Sequence, residues 1–278
     1  AALNVSYNCL ECYAASLHGA LTTPHPPYER IGVRNPGGEY NQLATSLLQI
    51  ENEFYGTIRP KRTIRTGERP LHALRERGVE YVEVRCMDLD PFEPVGIAVD
   101  TMRFLDVFLL HCLLADSPPD TVQETAEMAR NQHRTASEGR DPSLKLERGG
   151  QGVRLVDWGA ELLQACAPIA AALDLGRAEP VHTQAVENAG QRLRDLSTAP
   201  SARALAAMRE DFDASFVGFG VARSQWAREQ ALAQPLSADD AALFTERAKT
   251  SLQAQREREA ADAVPFEEYR ERYLAPEN

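Results

Sequence analysis

The segment EYVEVR (residues 80–85) places a carboxylate and a guanidinium two positions apart in a run that otherwise has the pattern of a β-strand. Because alternate side chains of a strand share a face, Glu83 and Arg85 point to the same side, together with Tyr81. The opposite side carries the residues expected to pack in a core: Val82, Val84 and Cys86. A carboxylate beside a guanidinium can bind a cation, an anion, or both.

A second extended segment, residues 53–61 (EFYGTIRPK), has the same alternation, although Pro60 restricts it to an edge strand or a strand end. Its polar face is formed by Glu53, Tyr55, Thr57, Arg59 and Lys61, and its other face by Phe54, Gly56 and Ile58. Two strands of one sheet would then share a face of carboxylates, phenols and cations. Two interpretations stay open: a solvated face on which Glu83 pairs with a cation of the neighbouring strand, or a functional face that binds an anion or a metal ion.

Residues 59–69 concentrate positive charge in an otherwise acidic chain. Five cations accompany the single Glu68: Arg59, Lys61, Arg62, Arg65 and Arg69. Such a cluster is typical of phosphate binding, and the alternative is an exposed basic loop that forms salt bridges. A nucleic-acid surface is disfavoured because the net charge is −11 and no aromatic residues interleave the cations.

The cysteines and histidines predict no metal or redox centre. Cys9 and Cys12 form a CxxC without a second such pair, inside an expected helix, so we interpret them as two ordinary helix cysteines. The six histidines include no HExxH motif, and His111 is expected to be a core residue of an apolar helix. No P-loop, GxGxxG or nucleophile elbow is present.

The elements that must position these residues change in character near residue 98. The first part contains a helix over 6–20 capped by Ser6, long loops and the two strands. The rest is mainly helical, with a core helix over 100–115 capped by Asp100 and a loop at KLERGGQG (145–152). Further helices are predicted over 121–137, 157–173, 183–197, 201–213, 215–233 and, capped by Ser237, 237–263. The fold class is therefore α+β: a small antiparallel sheet with a largely helical C-terminal half.

Composition bounds the class of protein. A chain of 278 residues with 43% hydrophobic and 26% charged residues can bury a substantial core. Five scattered cysteines and no signal peptide predict a reducing, cytoplasmic location. The most apolar stretch, 104–115, is too short and too charged to span a bilayer, so no membrane partner is expected.

Several blocks together resemble the bacterial glutamate–cysteine ligases (γ-glutamylcysteine synthetases), namely SYNCLECY (6–13), LLQIENEFYGTIRPKR (47–62), GVEYVEVRCMDLDPFEPVGI (78–97), RFLDVFLLHCLLAD (103–116), SEGRDPSL (137–144) and EREAADAVPFEEY (257–269). The resemblance implies that the sheet is part of a glutamine-synthetase-like funnel. It also implies an ATP-dependent ligase of glutathione biosynthesis that joins the γ-carboxylate of L-glutamate to the amine of L-cysteine through γ-glutamyl phosphate. The cofactors implied are ATP and Mg²⁺, with Mn²⁺ as the alternative ion.

The resemblance also implies roles for single residues. Glu83 would be a metal ligand, Arg85 would face the transferred phosphoryl group, and Tyr55 would line the cysteine pocket. The motif cations Arg59, Lys61 and Arg62 would bind substrate phosphate or support the sheet. No role follows for Cys9, Cys12 or Cys86.

Members of that family are roughly twice as long, so we expect this chain to be the C-terminal portion (1–278) of one catalytic domain. Within it, 1–98 would hold the first helix, loops and strands, and 99–278 the helices. The N-terminal half would be its partner and would supply most of the remaining metal-binding carboxylates, so the chain alone is expected to be inactive. The alternatives are a non-enzymatic relative that acts as an interaction or scaffold protein, and a carboxylate–amine ligase with another acceptor.

Overall fold

A computed structural model describes residue 3, residues 5–85 and residues 87–275. The described residues divide into two compact units: one contains residues up to Met87 and those from Leu236 onwards, and the other spans Asp88–Pro235. The C-terminal segment thus belongs to the same unit as the two predicted strands. Cys86, expected to face a core, lies outside the described residues.

The elements confirm the predicted α+β class. The helices are, in chain order, α1 (Leu10–Thr22), α2 (Pro26–Ile31), α3 (Pro70–Arg77), α4 (Val99–Leu114), α5 (Val122–Glu138), α6 (Leu155–Leu173), α7 (Val181–Arg194), α8 (Pro200–Asp211), α9 (Phe216–Leu232), α10 (Ala238–Ala261) and α11 (Phe266–Leu274). The strands are β1 (Ile58–Lys61), β2 (Tyr81–Val84), β3 (Lys145–Arg148) and β4 (Gln151–Arg154). Short 3₁₀ turns occur at Glu51–Glu53 and Leu196–Thr198. None of the described helices is long and apolar enough to cross a membrane.

The first unit is built on α1. Its buried face packs against the segment before β1 and against α3 in one core: Val5, Tyr13, Ala14, Leu17, Ala20, Leu48, Phe54, Leu71 and Leu74. The predicted Ser6 cap is wrong, because the helix begins later and Cys9 is its N-cap residue. Helix α3 was not predicted; it begins at Pro70 and ends at Arg77, and the residue that caps its C-terminus, Gly78, has a φ of +74°.

The strands β1 and β2 pair antiparallel, as predicted, with Arg59 opposite Glu83 and Lys61 opposite Tyr81. The extended segment predicted over 53–61 is shorter, because the 3₁₀ turn occupies its start. The expectation that Val82 points into a core is also wrong, since the residue is 46% exposed.

The second unit has its core where α4, α6 and α7 meet, around Val107, Cys166, Ala170 and Val186. The predicted cap of α4 is wrong: Ala98 is the N-cap residue, and Asp100 instead accepts a hydrogen bond from Asn188 Nδ2 at 2.7 Å.

Helix α4 is also less buried than predicted. Only Val107 of its residues is fully enclosed, Leu113 and Leu114 are more than 70% exposed, and His111 is half-buried beside Phe108. The apolar sequence of α4 therefore forms a helix that is buried along one side and exposed on the other.

The segment KLERGGQG is a β-hairpin and not the predicted loop. Strands β3 and β4 pair antiparallel around Gly149 and Gly150, whose φ angles are +59° and +77°. Two successive residues at positive φ make a turn that suits the twist of a tight hairpin, and glycine adopts it without steric cost. Both turn N–H groups donate to the buried carboxylate of Glu127 on α5, at 3.0 and 2.9 Å.

Candidate active site

Four of the six predicted site residues are in contact on the β1–β2 sheet. The Glu83 carboxylate lies between two cations, with Lys61 Nζ 3.3 Å from Oε2 and the Arg85 guanidinium donating from Nε to Oε1 at 2.8 Å. The Arg85 guanidinium in turn lies over the ring of Tyr55, 5.3 Å from its centroid. We call Tyr55, Lys61, Glu83 and Arg85 the sheet cluster.

The sheet cluster is partly open to solvent. The side chains of Lys61, Glu83 and Arg85 are 29%, 34% and 25% exposed, and Tyr55 is 79% exposed. Desolvation alone would raise the pKa of Glu83, but hydrogen bonds from Lys61 and Arg85 outweigh it and lower that pKa. Two cations and one carboxylate leave a surplus of positive charge, so the sheet cluster suits an anion.

The strand pairing fixes this arrangement. Arg85 continues the ladder just beyond β2, since its N–H donates to Thr57 O at 2.7 Å. Gly56 lets the chain pass close to neighbouring side chains, because a Cβ there would meet the Tyr7 hydroxyl and the Phe54 ring at 2.9 Å. The segment before β1 can therefore bring Tyr55 beside Arg85.

Arg59 faces Glu83 in the ladder, but its guanidinium is buried and contacts other groups. The residue is 5% exposed, and its Nη2 donates to the backbone oxygen of Glu51 at 3.2 Å. It also hydrogen-bonds Tyr13, whose pKa is raised by burial although Arg59 opposes that shift. Arg59 thus joins β1 to α1 and to the turn at Glu51.

Glu51 is a buried carboxylate that the sequence pattern missed. It is 1% exposed, and its Oε1 accepts a hydrogen bond from Arg69 Nε at 3.0 Å. Arg69 also donates to Tyr273 O at 3.2 Å, which joins α11 to the same group. Among the described residues, Glu51 Oε2, Arg59 Nε and Arg69 Nη2 are buried without a hydrogen-bond partner. Nothing in the segment QIENEF (49–54) distinguishes Glu51 from a glutamate on the protein surface.

The cations of residues 59–69 do not form one surface, which favours the salt-bridge alternative over a single phosphate-binding patch. Arg59 and Arg69 are buried, while Arg62 lies 3.8 Å from Glu80 and Lys61 belongs to the sheet cluster. Glu68 is held by both terminal nitrogens of Arg77, a residue outside the patch. Lys61, Arg62 and Arg69 each pair with a carboxylate from outside residues 59–69.

A cavity of about 320 Å³ adjoins the sheet cluster through Lys61. Its polar lining includes the side chains of Tyr13, Glu51, Asn52, Arg59, Lys61, Arg62, Thr63 and Tyr81. Apolar residues of α1 and α3, among them Leu17 and Leu74, line the rest. Arg62 reaches this cavity although it lies apart from the sheet cluster.

The described residues do not by themselves fit a magnesium ion. Glu83 is a single carboxylate whose two oxygens both face cations, whereas Mg²⁺ is held by oxygen ligands in near-octahedral geometry. The one group of three potential metal ligands in the described part is Glu68, His72 and Glu76, and there Glu68 is occupied by Arg77. A metal at Glu83 would need further carboxylates from outside this set.

The sequence is similar to known ligases. The family model for glutamate–cysteine ligase matches residues 1–135. The chain is 48% identical over 273 residues to the glutamate–cysteine ligase of Janthinobacterium sp. (strain Marseille), covering 98% of this chain and 51% of that protein. It is 44% identical over 275 residues to the ligase of Pseudomonas fluorescens (strain Pf-5), covering 99% of this chain and 51% of that protein.

Solved structures agree. A glutamate–cysteine ligase of Francisella tularensis in complex with AMP superposes with a TM-score of 0.90 at 35% identity, covering 98% of this chain and 53% of that one. A bifunctional glutathione synthetase of Pasteurella multocida shares the fold, with a TM-score of 0.59 at 23% identity over 82% of this chain and 25% of that one. The chain spans about half the length of the curated relatives it matches. It belongs to the glutamate–cysteine ligase family.

Proposed function

We propose that this chain supplies one part of the active site of an ATP-dependent glutamate–cysteine ligase. The reaction would join the γ-carboxylate of L-glutamate to the amine of L-cysteine through γ-glutamyl phosphate, the first step of glutathione biosynthesis. The relatives' names support the reaction. The observation that carries the proposal is the sheet cluster, where Lys61 and Arg85 present surplus positive charge on one face.

Arg85 would stabilise the transferred phosphoryl group. Its Nε and Nη2 contact Glu83, which fixes the plane of the guanidinium and leaves other N–H donors for phosphate oxygens. Charge spreads over the phosphoryl oxygens in the transition state, so a preorganised cation lowers the barrier without reorganising. Glu83 thus acts on Arg85 by holding it, whatever else it binds.

Lys61 would add a second charge on the same face, because its ammonium group carries three donors and lies 3.3 Å from Glu83. Tyr55 would bond the carboxylate of the acceptor amino acid, since its exposed phenol lies next to Arg85. Arg59 would support the sheet, given its burial against Glu51. Arg62 would contribute positive charge to the adjoining cavity.

ATP is the proposed phosphoryl donor, and the AMP complex of the Francisella relative supports nucleotide use. Mg²⁺, or Mn²⁺, would neutralise the polyphosphate when bound. Glu83 could be one ligand only if the remaining carboxylates come from the N-terminal half found in longer relatives. That half is the proposed macromolecular partner, and this chain would be its C-terminal complement in the cytoplasm, without nucleic-acid or membrane partners.

The experiment is phosphate release from ATP with glutamate and Mg²⁺, with and without cysteine, using this chain alone and a polypeptide that also contains the N-terminal half. We expect cysteine-dependent release from the longer polypeptide only. Release by this chain alone would contradict the division of the site between two halves. A folded longer polypeptide without cysteine-dependent release would overturn the proposed reaction.

A further inference from the structure

Two cysteines meet at the start of α1. Cys9 is the N-cap residue, Cys12 lies in the first turn, and their sulfur atoms are joined in a disulfide. The earlier interpretation of two ordinary helix cysteines is therefore wrong. The spacing CxxC at a helix start places both sulfurs in the same turn, where they can form and break a bond with little movement of the backbone.

The start of the helix also favours a reactive thiolate. Cys9 Sγ accepts a hydrogen bond from the N–H of Cys12 at 2.9 Å. The first N–H groups of a helix point away from it and favour negative charge at this end, and α1 is long enough, at 13 residues, for this effect. Cys9 is exposed and Cys12 is half-buried, so an attacking or leaving small molecule can reach the first sulfur.

The two free cysteines of the described part lie in different surroundings. Cys166 is fully buried in the core of the second unit, and burial raises the pKa of its thiol. Desolvation of the sulfur also raises the pKa of Cys112, although that residue is exposed on α4. Each of these thiols provides an internal comparison for the pair.

We propose that Cys9 and Cys12 form a reversible dithiol–disulfide couple that exchanges electrons with low-molecular-weight thiols and their disulfides. In the oxidising direction the Cys9 thiolate attacks one sulfur of a small disulfide, and the other half leaves as a thiol after taking up a proton. The Cys12 thiolate then attacks Cys9 Sγ of the mixed disulfide and releases the second small thiol. The protein loses two electrons and two protons, and the small disulfide gains them.

Two tyrosines near the couple in the chain contact the strand β1. Tyr7 and Tyr13 flank the couple along the chain, and their rings are 5.6 Å apart. The Tyr7 hydroxyl donates to Ile58 O of β1 at 2.8 Å, and Tyr13 hydrogen-bonds Arg59. The existence of the couple does not rest on the proposed ligase function, and its test measures thiols and not turnover.

The experiment equilibrates the chain in dithiothreitol buffers of graded reduced-to-oxidised ratio, quenches with acid, and alkylates free thiols with a maleimide. Peptide mass mapping then gives the oxidised fraction at each cysteine. We expect Cys9 and Cys12 to lose their thiols together in one two-electron transition, in which the ratio of oxidised to reduced protein changes tenfold for each tenfold change in the buffer ratio. Cys112 and Cys166 should keep free thiols, and therefore be alkylated by the maleimide, at every buffer ratio.

Variants separate a specific couple from general oxidation. In Cys9→Ser the thiol of Cys12 should remain free at every ratio, whereas Cys112→Ser should keep the two-electron transition. Because the mapping on the unmodified chain needs no variant, a poorly folding Cys9→Ser leaves the test intact. Independent oxidation of Cys9 and Cys12, or thiols that stay free in the most oxidising buffer, would overturn the proposal.

Discussion

Glu83 and Arg85 sit two residues apart because one strand must present both to the same side, and Lys61 reaches that side from the paired strand. The structure confirms the cross-strand pairing of the first interpretation, and the functional interpretation stays a prediction. Glu83 does pair with a cation of the neighbouring strand, and the resulting group still keeps surplus positive charge. An ion pair on a solvated face and an anion-binding group are thus compatible at this position.

The first prediction concerns Glu83→Gln in a polypeptide that contains both halves. The amide keeps the shape but removes the charge that orients Arg85 and Lys61, so turnover should fall at least about 100-fold while folding is unchanged. Cysteine-dependent phosphate release and circular dichroism measure the two effects. Glu80→Gln on the same stretch of chain is the matched control, because Glu80 pairs with Arg62 and the N–H of Thr63. Near-normal turnover of Glu83→Gln would contradict a role of Glu83 in the active site.

The second prediction concerns Glu51→Gln. The substitution leaves Arg69 buried without its carboxylate partner, so the free energy of unfolding should fall by about 3–5 kcal/mol. Urea unfolding of the chain measures it. Glu11→Gln is the control, since Glu11 pairs with Arg75 at 3.6 Å on the surface and such pairs contribute about 0–1 kcal/mol. Equal losses in the two variants would contradict a buried role for Glu51.

At the scale of elements, periodicity predicted long helices well and turn-dependent elements poorly. Thr121 and Glu124 form a full capping box at the start of α5, and Ser237 caps α10, so those helices begin close to where the sequence placed them. The helix α3 was missed because PLHALRER has few apolar residues and is stabilised by the core it packs against.

The sequence also predicted one part of the candidate site and missed another. Alternation along two short strands was enough to place Glu83, Arg85 and Lys61 together. Pattern alone could not place Arg59 and Arg62, because their partners Glu51 and Glu80 come from other parts of the chain. A charged group is buried only where residues distant in sequence pair with it, and the local periodicity of a sequence gives no information about those residues.

The third prediction tests the hairpin that the sequence pattern missed. Gly150→Ala forces a Cβ into a backbone conformation with φ of +77°, which should cost about 1–2 kcal/mol of unfolding free energy. Gly152→Ala in β4 is the matched control: its Cβ would meet Lys145 at an ordinary 3.6 Å, and the change should stay within about 0.5 kcal/mol. Thermal unfolding of the two variants checks the difference. Equal stability would mean that the turn does not constrain residue 150.

For the whole molecule, acid should weaken the packing of the first unit. Hydrogen bonds from Arg77, and then from the N–H of Arg65, lower the pKa of Glu68 from 4.5 to about 2. A carboxyl whose pKa is lower in the folded state contributes stability above its unfolded pKa and loses it as pH falls through the folded value. The contribution of Glu68 should therefore disappear between pH 4.5 and about pH 2.

The fourth prediction follows from the lowered pKa of Glu68. The difference in unfolding free energy between the unmodified chain and Glu68→Gln should be largest near pH 7 and shrink steadily as pH falls from 4.5 towards 2. Urea midpoints at several pH values measure it, with Glu246→Gln, at an exposed position of α10, as the comparison variant. A difference that stays constant with pH would exclude the Arg77 pair as its source.

The return of α11 to the first unit has a consequence for synthesis. Arg270 on α11 donates to Leu43 O at 2.7 Å, and Glu267 accepts from Arg34 at 2.8 Å, so contacts of the first unit join residues more than 200 positions apart. The ribosome makes the second unit, a continuous stretch, before it makes α11. Although domains commonly fold in the order of their synthesis, here the part of the first unit that precedes the second unit can acquire these contacts only after the second unit has emerged. The first unit is therefore complete only after α11 has been synthesised.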